Sequence, residues 1–140
     1  MTRKAPPAPL SQAWTGAQVE AHAHAALTAA LNYFRIPDHW EVTLCFSGGD
    51  GDNAGEVHVD QTYLRATITL NTEYLRTSPQ KVWETVGHEV AHIALAPFDA
   101  FWVGLPDKTQ GKQREPYVRA VENTVVQLTR MWLRDHPDPA

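Results

Sequence analysis

Thr85-Val86-Gly87-His88-Glu89-Val90-Ala91-His92 is the stretch on which the reading of this chain turns. It contains His-Glu-x-x-His. On an α-helix, positions i and i+4 are neighbours on one face. His88 and His92 would therefore aim two imidazoles the same way, at a spacing suited to one divalent ion. Glu89 stands about 100° round the helix from His88 and can reach a water beside that ion.

Five residues can match by chance in a chain with 7 histidines among 140 residues, so the flanks matter. Val82, Trp83, Val86, Val90, Ile93, Ala94 and Leu95 recur at helical spacing and predict a buried helix. Ser78-Pro79 reads as its N-cap and first-turn proline, and Pro97 as its end. Two histidines and a glutamate on such a helix are costly to bury without partners. A Zn²⁺ ion would satisfy them, with Glu89 as general base towards a metal-activated water.

Length and composition set the frame. A chain of 140 residues predicts one domain, and 43% hydrophobic residues support a globular core. A net charge of −4 with no dense basic block argues against nucleic acid as the main partner. The single cysteine, Cys45, permits no internal disulfide, fits a reducing compartment and reads as a buried strand residue. No run approaches the length of a membrane span. Met1-Thr-Arg-Lys4 is followed by Pro6-Pro7-Ala8-Pro9 and then a polar-interrupted segment, so no apolar export core follows and a cytoplasmic protein is expected.

In chain order, residues 1–13 form a proline- and alanine-rich lead, expected to be mobile. Residues 14–134 form the single domain, and 135–140 a flexible tail. Thr15 can cap a helix to about Phe34, with Val19, Ala23, Ala26, Leu27, Ala30, Leu31 and Phe34 as its buried stripe. His22 and His24 lie on this helix and read as ordinary helix histidines. Strands are expected over Trp40–Phe46, Glu56–Asp60 and Ala66–Asn71, with a flexible turn at 47–55. That turn half resembles a calcium loop through Asp50 and Asp52, but Ala54 and Gln61 occupy positions that should carry ligands. Residues 98–116, with Gly104, Pro106, Gly111 and Pro116, read as a loop. The basic residues Lys108, Lys112 and Arg114 read there as a solvated surface, with substrate contact as the lesser alternative. A last helix over about Glu115–Arg134 carries Val118, Val121, Val125, Leu128 and Trp132 on its apolar face. The whole predicts an α+β fold: an N-terminal helix, a small twisted mixed sheet of three to four strands, the motif helix and a C-terminal helix.

Two histidines leave a zinc site short of a third protein ligand. A third histidine six residues after His92 would mark the metzincin pattern, but Leu95 and Phe98 stand where its glycine and histidine belong. A glutamate on the last helix is the remaining arrangement. Glu122 borders the apolar face and is preferred. Glu115 at the expected helix start is the alternative, and as a first-turn residue it would serve the helix dipole. Asp99, His136 and His58 are lesser candidates.

These residues, Thr85 to His92 and Glu122 in Val121-Glu122-Asn123-Thr124-Val125, resemble the gluzincins, specifically the compact minigluzincins and similar small metallopeptidases. The order of elements is similar over most of residues 15–134. The resemblance implies a zincin-like fold, a zinc endopeptidase activity on a polypeptide substrate, and a strand that holds extended substrate by strand addition. On that reading Zn²⁺ is held by His88, His92 and Glu122, and Glu89 is the catalytic residue. Tyr117 is the candidate for transition-state support, the strand at 66–71 for substrate pairing, and Asp99 or Asn123 for holding an imidazole's second nitrogen. Two other readings share the motif. One is a catalytically weak zinc-containing module that binds a protein. The other is a DNA-associated SprT-like peptidase, which usually brings a third histidine and often a nucleic-acid module, neither of them evident in this chain. The sequence carries no signal for oligomeric state.

Overall fold

The computed structural model describes residues 13–49 and 53–136. Residues 1–12 of the expected lead, Asp50 and Asp52 of the calcium-like turn, and residues 137–140 of the expected tail lie outside the described residues.

Helix α1 (Gly16–Tyr33) opens with a capping box. The Gln18 N–H donates to the Thr15 hydroxyl at 3.1 Å, and the Thr15 N–H donates to the Gln18 side-chain carbonyl at 2.8 Å. Its buried side is made of Val19, Ala23, Ala26, Leu27 and Ala30. Strands β1 (Glu41–Ser47), β2 (Gly55–Asp60) and β3 (Arg65–Asn71) follow. They form one mixed sheet in the order β1-β3-β2, with β1 parallel and β2 antiparallel to β3. The architecture is α+β, with five helices and this three-stranded sheet among the described residues.

Strand alternation decides which side of the sheet is wet. Val42, Leu44 and Phe46 pair across to Ala66, Ile68 and Leu70, and those to Val59, Val57 and Gly55. The five large apolar residues of β1 and β2 in this register, Val42, Leu44, Phe46, Val57 and Val59, pack against the core formed with α1 and helix α3 (Lys81–Ala94), while Gly55 has no side chain to offer. The opposite face carries Thr43, Cys45, Thr67 and His58. Cys45 is therefore a strand residue as expected, but it is exposed and not buried: its neighbours Leu44 and Phe46 take the inward positions.

The connections are more helical than the sequence pattern predicts. Asn71 closes β3 and N-caps a short helix α2 (Thr72–Thr77), its side chain accepting from the Tyr74 N–H at 3.2 Å. Ser78 and Pro79 then form a turn, and α3 starts one or two residues later than expected with Gln80 as N-cap. Residues 98–116, expected as a loop, are not one. Helix α4 (Ala96–Val103) carries Pro97 in its first turn, where the missing N–H costs nothing. Helix α5 (Asp107–Asp135) begins after Pro106 with Asp107 favourably placed at the positive end of the dipole. It runs through Pro116 without ending.

α5 is tied down at its C-terminal half. Val125, Thr129 and Trp132 are its buried residues. The Trp132 indole stacks on Trp83 at 5.5 Å and donates its N–H to the Trp83 carbonyl at 2.9 Å. The close crossing exists because Gly87 of α3 has no Cβ: one built there would lie 2.2 Å from Trp132 Cδ1. His136, expected in a frayed tail, stacks on Trp132 at 4.1 Å, and Asp135 accepts the Tyr33 hydroxyl at 2.6 Å. The N-terminal half of α5 and α4 are much wetter. Phe98, Phe101 and Val103 are exposed, and Val118, placed on the apolar face by its spacing, is 51% exposed.

Candidate metal centre

Helix α3 buries Val82, Val86, Val90 and Ile93, and that burial fixes its rotation. His88 and His92 then emerge together on the side turned to α5, with ring centroids 5.1 Å apart. On α5, Glu122 lies one turn before Val125, so the seam that seats Val125 and Trp132 on α3 carries the carboxylate to the histidines. One ligand atom from each of His88, His92 and Glu122 lies within 4.8 Å of the others, and His92 Nε2 is 3.7 Å from Glu122 Oε1. A tetrahedral ion about 2.1 Å from each donor sets donors about 3.4 Å apart. Small side-chain rotations close that gap, and the Glu122 side chain, about half exposed, is free to make them. Two imidazole nitrogens and one carboxylate oxygen also suit zinc chemically.

Electrostatics agree with this role. Burial pushes the His92 imidazole below its usual range, and this outweighs the upward pull of the Glu122 carboxylate. The His92–Glu122 contact is thus not a salt bridge at neutral pH, and the ring keeps a lone pair for a metal. Glu89 is 7% exposed. Its pKa is raised to about 7, first by burial and then by the negative charges of Glu122 and Glu56. A carboxyl poised there can both accept and return a proton near neutral pH.

The remaining sequence candidates separate cleanly. Glu115, the alternative ligand, is bound to Arg119 at 2.8 Å with its side chain 83% exposed, and it stands in the third turn of α5 and not at a helix start. His136 belongs to the Trp132 stack at the far end of α5. His58 is exposed on the outer face of the sheet, and Asn123 is exposed on α5. His22 packs on Trp14 at 4.1 Å. Asp99 and Tyr117 do reach the centre's rim. They line one cavity with His92 and Glu122, and the Tyr117 hydroxyl donates to the Asp99 carboxylate. Burial, and then that hydrogen bond, raises the Tyr117 pKa.

Two cavities flank His88, His92 and Glu122. One, of about 230 Å³, is bounded by Ala54 and Gly55 at the start of β2 and by Thr85, His88 and Glu89. The other, of about 270 Å³, lies between α4 and α5 and includes His92, Trp102, Arg114, Tyr117 and Glu122. Sequence reasoning missed Gly55 and Trp102 as walls of this cleft. A strand-end glycine was a usable signal: a Cβ on Gly55 would meet Thr85 Cγ2 at 2.9 Å, so its absence lets β2 lie close along α3. Trp102 gave no signal, because its segment read as a loop. The expected pairing strand, 66–71, is corrected: β3 is the central strand and both its edges are used. The edge beside the cleft belongs to β2.

No protein-family model, curated protein or solved structure matches this chain. No helix among the described residues is long and apolar enough to cross a membrane.

Proposed function

We propose that the protein is a zinc-dependent metallopeptidase of the gluzincin kind, with His88, His92 and Glu122 as metal ligands and Glu89 as general base. The observation that carries this reading is the meeting of His88, His92 and Glu122 ligand atoms within 4.8 Å, drawn from two helices thirty residues apart, beside a buried carboxyl with a pKa of about 7. Zinc held there supplies Lewis acidity and lowers the pKa of a coordinated water towards about 7.

The chain's own groups do the rest. Glu89 takes the proton from the attacking water and hands it to the leaving amine as the peptide bond breaks. The Tyr117 hydroxyl lines the same cavity as His92 and Glu122 and would support a developing oxyanion only by turning its single proton away from the Asp99 carboxylate that now accepts it. The free edge of β2 offers backbone groups to an extended polypeptide, which would run along the cleft between the two flanking cavities. A polypeptide is favoured as substrate because such an edge reads main chain and not a particular side chain.

The test combines metal content with cleavage of denatured protein. Glu89→Gln should retain one zinc per chain and lose about 10²–10⁴-fold in turnover. Glu122→Ala should lose zinc, while Glu115→Ala keeps it. Full zinc in Glu122→Ala would reject the ligand set. Zinc binding without cleavage of any peptide by the unmodified chain would leave a zinc-bearing binding module in place of a peptidase.

A further inference from the structure

We propose that Arg114 makes the cavity between α4 and α5 a carboxylate-binding subsite, so that the protein prefers substrates with an acidic side chain or a free chain end close to the cleaved bond. The proposal rests on the peptidase reading above and names the substrate class of that site. Arg114 is the cation lining the cavity that also contains His92 and Glu122. The other walls are Trp102, Tyr117, Val118 and Val121, which are aromatic or aliphatic, and Asp99, whose carboxylate already accepts the Tyr117 hydroxyl. The ion pairs among the described residues engage Arg65, Arg76, Arg119 and Arg134, but not Arg114.

Charge and geometry support a ligand and not only a solvated side chain. The chain carries a net −4, and the carboxylates Asp99 and Glu122 line the same cavity as Arg114. An anionic substrate would be repelled from those carboxylates, and Arg114 is where the cavity between α4 and α5 offers it a partner. A guanidinium binds a carboxylate with two parallel hydrogen bonds, and the exposed Arg114 side chain can turn to make them. The distance also fits. Arg114 precedes Glu122 by eight residues, about 12 Å along the helix at 1.5 Å per residue. An extended substrate advances about 3.4 Å per residue, and the arginine side chain spans part of the gap. The carboxylate is therefore expected within three residues of the scissile bond. It could come from an aspartate or glutamate side chain or from the substrate's C-terminus.

The experiment has two arms. Zinc-loaded unmodified protein is incubated with a proteome-derived peptide library, and cleavage sites are read by mass spectrometry. Zinc-loaded Glu89→Gln protein is titrated with three hexa-alanine peptides: one with a free C-terminal carboxylate, one amidated, and one amidated with a single glutamate. Asp, Glu or the chain end should be enriched about fivefold or more near the cleaved bond. The enrichment should vanish in Arg114→Gln and turn towards Lys and Arg in Arg114→Glu, with circular dichroism confirming that both variants fold. The free-end and glutamate peptides separate the two sources of carboxylate. Cleavage without acidic preference, or a preference that survives Arg114→Gln, overturns the subsite and leaves the peptidase standing. If nothing is cleaved, the peptidase reading falls and the titrations decide: tighter binding of carboxylate peptides only with Arg114 intact supports the subsite, and equal or no binding overturns it.

Discussion

At the scale of single residues, Glu89 is the group whose chemistry can be read without a substrate. The fold disfavours its ionised form, so its pKa rises from 4.5 to about 7. In the metal-free protein its contribution to stability is fully present below pH 4.5 and is lost as pH rises through about 7. Glutamine mimics the neutral form at every pH. Glu89→Gln should therefore match the unmodified metal-free protein at pH 4.5 and exceed it by about 2 kcal/mol at pH 8, allowing for solvent reaching the open cleft. Urea unfolding in the presence of a chelator at both pH values checks this, and a gap that fails to widen with pH would refute it. Arg35 offers a second, independent case. It ends α1 with φ at 54°, in a Schellman arrangement: its N–H donates to Asn32 O at 3.2 Å, and the Ile36 N–H donates to Leu31 O at 2.9 Å. Arginine in that left-handed position is strained and glycine is not. Arg35→Gly should raise stability by about 0.5–1 kcal/mol, read as a higher urea midpoint with an unchanged slope.

At the scale of elements, some of the chain was legible and some was not, for identifiable reasons. Thr15 with Gln18, and the apolar stripe from Val19 to Ala30, predicted α1 because capping and period act locally. Alternation from Val42 to Phe46 and from Ala66 to Leu70 predicted β1 and β3 for the same reason. The apolar spacing round His88 and His92 put them on one face of α3. Glu122 was placed by its step from Val125, and that step survives in the structure although half the side chain is in water. What failed were segments whose punctuation misleads. Pro97, Gly104, Pro106, Gly111 and Pro116 read as loop signals, yet the first and third sit where helices accept proline, and α5 tolerates the last two at a cost. Val118 failed because a helix's apolar spacing does not say how far its partner extends. Pro116 leaves the Lys112 carbonyl without its usual i+4 donor inside α5. Pro116→Ala restores that donor at an exposed position and should stabilise the protein by about 1–3 kcal/mol. Thermal unfolding reads the gain, and an unchanged midpoint would mean that the helix is already bent to suit the residue.

At the scale of the whole molecule, the candidate centre depends on how closely two helices cross, and Gly87 sets that distance. Trp132 lies directly against its Cα, and the indole's hydrogen bond to the Trp83 carbonyl holds it there. Trp132 is fully buried among Tyr33, Phe34, Trp83 and His136, so it cannot swing aside as the end of a flexible chain would. A methyl at 87 must push α5 away from α3. The cost should be about 1–3 kcal/mol or more, as for other overpacked cores. The displacement also has a consequence ten residues up the same helix. Glu122 rides on α5 and both histidines ride on α3, so separating the helices opens the His88–His92–Glu122 group without touching any of its three members. Gly87→Ala should therefore weaken zinc binding about tenfold or more, an effect comparable with the loss of a group that orients a ligand, while the zinc that does bind should restore part of the lost stability by linkage. Competition with a zinc-sensitive dye, together with unfolding with and without metal, measures both effects. A variant that is destabilised yet holds zinc as tightly as the unmodified chain would show that Glu122 is delivered by the flexibility of its own side chain and not by the crossing at Gly87.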